Sequence, residues 1–255
     1  MRTLGIDLSA QPKKTAACSI AWGDTVEVEE LVVGCDDDAL LDRMGDAAWI
    51  GIDAPFGWPV EFVETVGAWA AGQAWPTSFT TQQLSFRETD RAVLATRRPL
   101  SVSTDRIGIC AMRCARVLTA LAERRGTAAI DRTGADQVVE VYPGAALPVW
   151  SGEAADLRLD PGGYKGTKPE QAAKREELVE ALERGASWLR LEPAHRALCL
   201  KNDDALDAVL CALIARAAQR GLTVPPEGEL QSARAPVEGW IHLPRAGTLA
   251  SLAEA

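Results

Sequence analysis

Two short apolar runs in this chain end in the same way. Thr3-Leu-Gly-Ile-Asp7 and Trp49-Ile-Gly-Ile-Asp53 are each a strand-like stretch that stops on an aspartate. Glu140 sits inside a third apolar run, Val138-Val-Glu-Val-Tyr142. Asp203, Asp204 and Asp207 open a long apolar helix, Asn202-Asp-Asp-Ala-Leu-Asp207-Ala-Val-Leu. A buried, isolated carboxylate is costly and either shifts its pKa or finds a partner. Several of them converging at one end of a sheet require cationic charge, which a divalent metal ion supplies. This pattern restricts the fold to one that brings strand ends and a helix start together.

With 255 residues, 47% of them apolar, the chain can build one large α/β core. Its net charge of −9 is distributed unevenly. Residues 87 to 125 hold nine arginines against Glu88, Asp90, Asp105 and Glu123, a local excess of five positive charges. A basic stretch in an acidic protein is a candidate phosphate footprint, although arginines on amphipathic helices are also commonly just solvated. The six cysteines form no Cys-x-x-Cys pair and have no zinc spacing. No secretory signal pattern opens the sequence and no apolar stretch is long enough for a membrane span. Free thiols in a reducing cytoplasm are the expectation. His195 and His242 are the only histidines, which argues against a multi-histidine metal site.

Along the chain, residues 2–8, 15–22 and 25–33 read as strands, and Gly23-Asp24 marks a hairpin turn between the last two. Residues 36–45 read as a helix with Asp36 to Asp38 as cap candidates. Residues 49–53 return as a strand parallel to a neighbour. Residues 59–85, rich in Trp, Thr and Gln, read as short helices and loop. Helices are expected over 84–96 and 108–125, the second with Ile109, Met112, Val117, Leu118 and Leu121 as its apolar positions. A strand follows at 137–142, then a loop over 151–168, helices at 169–184 and 203–220, and a late short strand at 239–242. Asn202 or Asp203 is the expected cap of the last helix. The order describes one domain over residues 1–255, with insertions around 56–85 and 151–200. Its core is a mixed five-stranded sheet, a three-strand antiparallel meander plus parallel strands, flanked by helices. That is a ribonuclease H-like α/β architecture.

Gly5-Ile-Asp7, Ile52-Asp53-Ala-Pro55, Glu140-Val-Tyr-Pro143, Tyr164-Lys165 and Asp204-Ala-Leu-Asp207-Ala together resemble the DUF429 family, whose members are regarded as predicted nucleases of ribonuclease H-like fold. The likeness runs from residue 2 to about Ile241. The closing helix also looks like that of RuvC-type Holliday-junction resolvases, which starts with two acids three residues apart. The implied activity is metal-dependent phosphodiester hydrolysis. Two Mg²⁺ or Mn²⁺ ions about 4 Å apart activate a water and stabilise the leaving oxygen, and they require hard oxygen ligands. Asp7 would bridge the ions, Asp53 would hold one, and Asp204 and Asp207 share a helix face and would hold the other. Glu140 is either a further ligand or catalytic acid, or the partner of an arginine. Arg87, Arg91 and Lys165 are candidates for substrate phosphate, with Arg91 alternatively pairing beside Asp90. Trp58, Trp69 and Trp75 either stack bases or pack in the core. His195 is an exposed residue or an aid to metal or product exchange.

Two other functions fit parts of the pattern. An ATPase or phosphotransferase of the sugar kinase and actin type also begins with a strand-terminal Asp before a hairpin. It would need a duplicated domain and a glycine-rich adenosine loop, neither of which the sequence has. A non-catalytic nucleic-acid or protein-binding module would be expected to lack some of the acids. Nucleic acid is the expected partner and a membrane is not, while the oligomeric state, a homodimer included, is open.

Overall fold

In a computed structural model, residues 1–151, 159 and 162–254 are described. The elements are, in order, β1 (Arg2–Asp7), β2 (Ala16–Trp22), β3 (Val26–Val33), α1 (Asp37–Asp46), β4 (Trp49–Asp53), α2 (Val60–Ala70), α3 (Thr81–Ser85), α4 (Glu88–Val93), α5 (Ile107–Arg125) and β5 (Val138–Glu140). They continue with α6 (Pro143–Ser151), α7 (Pro169–Gly185), β6 (Leu189–Arg190), α8 (Pro193–Lys201), α9 (Asp203–Gln219) and α10 (Gly228–Glu238). The strands form one mixed sheet in the order β5-β4-β1-β2-β3-β6. β1, β2 and β3 are the expected antiparallel meander, and β4 and β5 extend it in parallel on the β1 side. The architecture is the α/β one expected, and it is consistent with a ribonuclease H-like fold.

The sheet has six strands where five are expected. The extra strand, β6, is two residues long and pairs in parallel with the start of β3. Two residues carry no period-2 signal, so such an edge strand is invisible to patterning. The expected late strand at 239–242 is reduced to a bridge between Ile241 and Glu140. The single helix expected over 84–96 is two short ones, α3 and α4, interrupted where the Phe86 and Arg87 backbone turns extended. Part of the loop expected over 151–168, residues 152–158 and 160–161, lies outside the described residues.

Helices cover both faces of the sheet. On one side α1 and α5 pack on Leu4, Ile6, Ile50 and Ile52. On the other, α9 lies against β1, β2 and β4, with α6, α7 and α8 outside it. Twelve of the seventeen residues of α9 are buried, so this helix is the middle of the fold rather than its surface. Burying Leu206, Leu210, Leu213 and Ile214 contributes about 1.5–3 kcal/mol each. In α5 the expected core positions Val117, Leu118 and Leu121 are buried, but Ile109 and Met112 are 60% and 59% exposed. Cys110, Ala111 and Cys114 take their place against the sheet. Small residues let this helix sit close, and the larger apolar side chains fall on the outer face.

Among the described residues no helix is long and apolar enough to cross a membrane. All six cysteines are free and buried.

Candidate metal centre

The repeated Gly-Ile-Asp places the acids. Residues two apart in a strand share a face. Gly5 and Asp7 therefore face the same side, as do Gly51 and Asp53. The parallel register sets Gly5 beside Gly51 and Asp7 beside Asp53. That side is the one covered by α9. A Cβ on Gly5 would lie 2.1 Å from the Ala208 carbonyl oxygen, and one on Gly51 would lie 2.5 Å from that of Cys211. The glycines let the helix backbone touch the sheet, and the aspartates follow one step beyond the contact. Asp207 immediately precedes Ala208, so its carboxylate descends onto the same spot. One oxygen from each of Asp7, Asp53 and Asp207 lies within 4.8 Å of the others.

Asp207 is fully buried. Its Oδ1 accepts a 2.6 Å hydrogen bond from the Tyr164 hydroxyl. Its Oδ2 lies 2.5 Å from Lys165 Nζ, an ion-pair contact without hydrogen-bond alignment. The Lys165 side chain is otherwise exposed, so one cation reaches into the acids from the solvent side. Asp204, one turn earlier on α9, is half-buried. Burial and the nearby Asp203 and Asp207 raise its pKa. Burial, then Asp207 and Asp53, push Asp7 well above the usual carboxylate range. Burial is also the main cause for Asp53, which is raised to about 7; Lys165 opposes the shift and Asp207 adds to it. Both residues keep partial contact with solvent, and Asp53 lines a cleft. Three carboxylates crowded within 4.8 Å of one another, with Lys165 as the one cation in contact with them, have unmet demand for cationic charge.

Glu140 does not join them. It pairs with Ile52, not Asp53, and so points to the opposite face of the sheet. There Arg87 takes both its oxygens, at 2.7 Å and 2.8 Å, and the Phe56 amide donates to one of them at 3.0 Å. Of the two roles open to Glu140 in the sequence, the structure selects the arginine partner. Arg87 also binds Asp90 through Nε and Nη2 and the Glu238 carbonyl through Nη1. Its guanidinium is 2% exposed and its donors are engaged, which leaves none for a substrate phosphate. Arg91 pairs with Glu88 and donates to the Phe86 carbonyl at 2.7 Å.

The arginines of the basic stretch therefore divide. Arg113 is buried and braces the turn after Asp7, through Ser9, Thr15, Asp37 and Cys35. Arg124 reaches Asp42, and Arg125 reaches the Asp136 carbonyl. Arg97, Arg98 and Arg106 line a cleft of about 430 Å³ together with Asp53 and Lys165. Trp69 and Trp75 are exposed and meet edge to face at 6.1 Å, while Trp58 is half-buried. His195 is half-buried, with its Nδ1 unpartnered.

Sequence reading missed Arg175 altogether. Its Nη1 donates to the Tyr164 and Gly166 carbonyls at 2.6 Å and 3.0 Å, and its Nε to the Leu200 carbonyl at 2.9 Å. It ties the loop that carries Tyr164 and Lys165 to the residues that lead into α9. Gly163 and Gly166 have φ of +75° and +123°, so the glycines around Lys165 are demanded by the backbone path rather than by flexibility. An arginine in the middle of an apparently solvated helix carries no sequence signal for such a clamp.

The family model described as "Protein of unknown function (DUF429)" matches residues 5–230, and the chain belongs to that family. No curated protein and no solved structure matches it.

Proposed function

Given that membership and the acid cluster, we propose that the protein is a metal-dependent nuclease, hydrolysing phosphodiester bonds at a two-ion carboxylate site. The observation that carries this reading is the convergence of Asp7, Asp53 and Asp207 within 4.8 Å. Hard carboxylate oxygens, too crowded to be ionised together cheaply, are the donor set that Mg²⁺ or Mn²⁺ prefers. Asp7, Asp53 and Asp207, with Asp204 one turn away on α9, are the residues that would hold the ions. Bound ions would activate the attacking water and neutralise the leaving oxygen.

The chain's own residues would do the rest. Tyr164 fixes the Asp207 carboxylate by its hydrogen bond, and Arg175 fixes the Tyr164 loop. Lys165, in contact with Asp207 and half exposed, would be placed to meet a non-bridging phosphate oxygen of the substrate. The cleft arginines would hold the substrate beside Asp53. Glu140, Arg87 and Asp90 support the far face of the sheet and take no part in the chemistry. Nucleic acid would be the partner, and six free thiols suit a reducing cytoplasm.

The test is a Mn²⁺ titration by calorimetry. It is followed by Mn²⁺-dependent cleavage of branched, single-stranded, duplex and RNA–DNA hybrid substrates. Two bound ions, and cleavage that Asp7→Asn abolishes, are the expected results. Absence of Mn²⁺ binding at millimolar concentration would make Lys165 the permanent counter-ion and would overturn the reading.

A further inference from the structure

We propose that the cleft beside the acid cluster receives one unpaired nucleotide adjoining the scissile phosphodiester. The substrate would then be single-stranded nucleic acid, or a strand end or branch with unpaired nucleotides, rather than intact duplex. The proposal rests on the phosphodiester reading above and deepens it. The cleft volume of about 430 Å³ suits a molecule of mononucleotide size. Asp53 stands at the cleft, so a nucleotide there would place its backbone next to the acids. Two kinds of lining meet in it. Arg97, Arg98 and Arg106 supply positive charge, and Pro99, Leu100 and Ile107 supply apolar surface.

The apolar part is wet: Leu100 is 50% exposed. Duplex DNA offers a protein its phosphates and groove edges, with its base faces already stacked. It has nothing to bury against Leu100. An unpaired base has a free face to lay on that wall, and its phosphate can meet the arginines. The lining acids do not outweigh this charge: Arg87, Arg97, Arg98, Arg106 and Lys165 stand against Asp53, Asp90 and Glu140, an excess of two cations. Arg98 also borders a second hollow of about 430 Å³, which Gln82, Phe86 and Leu94 line. Its guanidinium lies 5.4 Å above the Phe86 ring, as a pier between the two hollows. A strand leaving the first has a path into the second.

The experiment measures binding of the full chain in EDTA at pH 6.5, where no cleavage occurs. The probes are fluorescein-labelled 12-nucleotide single strands of DNA and of RNA, and the blunt duplex of the same sequence. Single strands should bind at least about tenfold more tightly than duplex. Arg98→Ala combined with Arg106→Ala should weaken them about tenfold and reduce the salt slope by roughly 1.4, two contacts at about 0.7 each. Leu100→Asn, which removes the apolar wall without adding charge, should weaken the single strands and leave the duplex unchanged; equal binding of single strands by this variant and wild type would overturn the stacking role. Unchanged thermal melts would show that these exposed positions leave the fold intact. Duplex binding equal to or tighter than single-strand binding would overturn the proposal, as would a double variant that binds like wild type. Metal binding is read separately by Mn²⁺ titration. Selective single-strand binding without Mn²⁺ binding would refute the nuclease reading alone. Mn²⁺-dependent cleavage indifferent to the arginines and to strandedness would refute the cleft alone.

Discussion

Replacing Asp53 by asparagine separates the acid cluster's electrostatics from its packing, because amide and protonated carboxyl have nearly the same shape. In the metal-free protein Asp53 titrates at about 7 against an ordinary value of 3.8. The folded state thus holds a proton that the unfolded state releases, and stability falls as pH rises between those values. The full stabilisation is present below pH 4 and is lost by about pH 7. At about 1.4 kcal/mol per tenfold change in proton affinity, the span from 3.8 to about 7 sets an upper limit of ~4 kcal/mol. Solvent in the cleft lowers that figure. Asp53→Asn removes this dependence. Urea unfolding in EDTA at pH 4.5, 6 and 8 should therefore show wild type losing stability along the series. The variant should lose less and be the more stable of the two at pH 8. Mn²⁺ should reverse the order at pH 8, because the ion stabilises only the chain that retains its ligand. Parallel pH slopes for the two proteins in EDTA would refute the reasoning, since Asp53 would then be an ordinary solvated carboxylate.

Asp7→Asn should behave alike, with equal or higher metal-free stability at neutral pH and no Mn²⁺-dependent cleavage; a markedly lower melting temperature in EDTA would count against a ligand role. Arg87→Ala strands Glu140 and Asp90 in the interior and should cost about 3–5 kcal/mol in urea unfolding. Asn202 accepts the Ala205 amide at 3.0 Å and is the cap of α9. Asn202→Ala should thus cost about 1 kcal/mol, and Asp203→Ala should stay within about 0.5 kcal/mol. Lys165→Ala should enlarge the Mn²⁺-induced rise in melting temperature, because it removes the cation that competes for Asp207.

The acids that converge were legible because their placement follows from periodicity alone. Gly5 and Asp7, like Gly51 and Asp53, sit two apart in strands, and Asp207 sits within a run of buried apolar residues. Such positions need no knowledge of partners. Glu140 was ambiguous for a related reason. Its face depends on whether it registers with Ile52 or Asp53, and a shift of one residue decides between metal and arginine. The arginines were least legible. Arg87, Arg98, Arg113 and Arg175 look alike in the chain, yet one is the hub of a buried ion network and one borders a wet cleft. The other two brace the loops on either side of the acids. Which is which depends on long-range contacts; composition merges Arg87, Arg98 and Arg113 into a single basic stretch and leaves Arg175 outside it.

The two glycines deserve the same weight as the acids they precede. Any side chain at Gly5 or Gly51 would push α9 off the sheet, because the backbone atoms it would strike cannot rotate away. The movement would lift Asp207 from Asp7 and Asp53 together. Gly51→Ala should accordingly lose Mn²⁺ affinity even if the protein stays folded, whereas an alanine at the solvent-facing Gly45, where a Cβ meets nothing within 4 Å, should change neither. Mn²⁺ affinity in Gly51→Ala equal to wild type would mean that the acids are held by their own strands and loops. The close contact of helix and sheet would then be a feature of packing alone. The opposite result would make the Gly-Ile-Asp pair one device, in which close packing sets the distance between ligands.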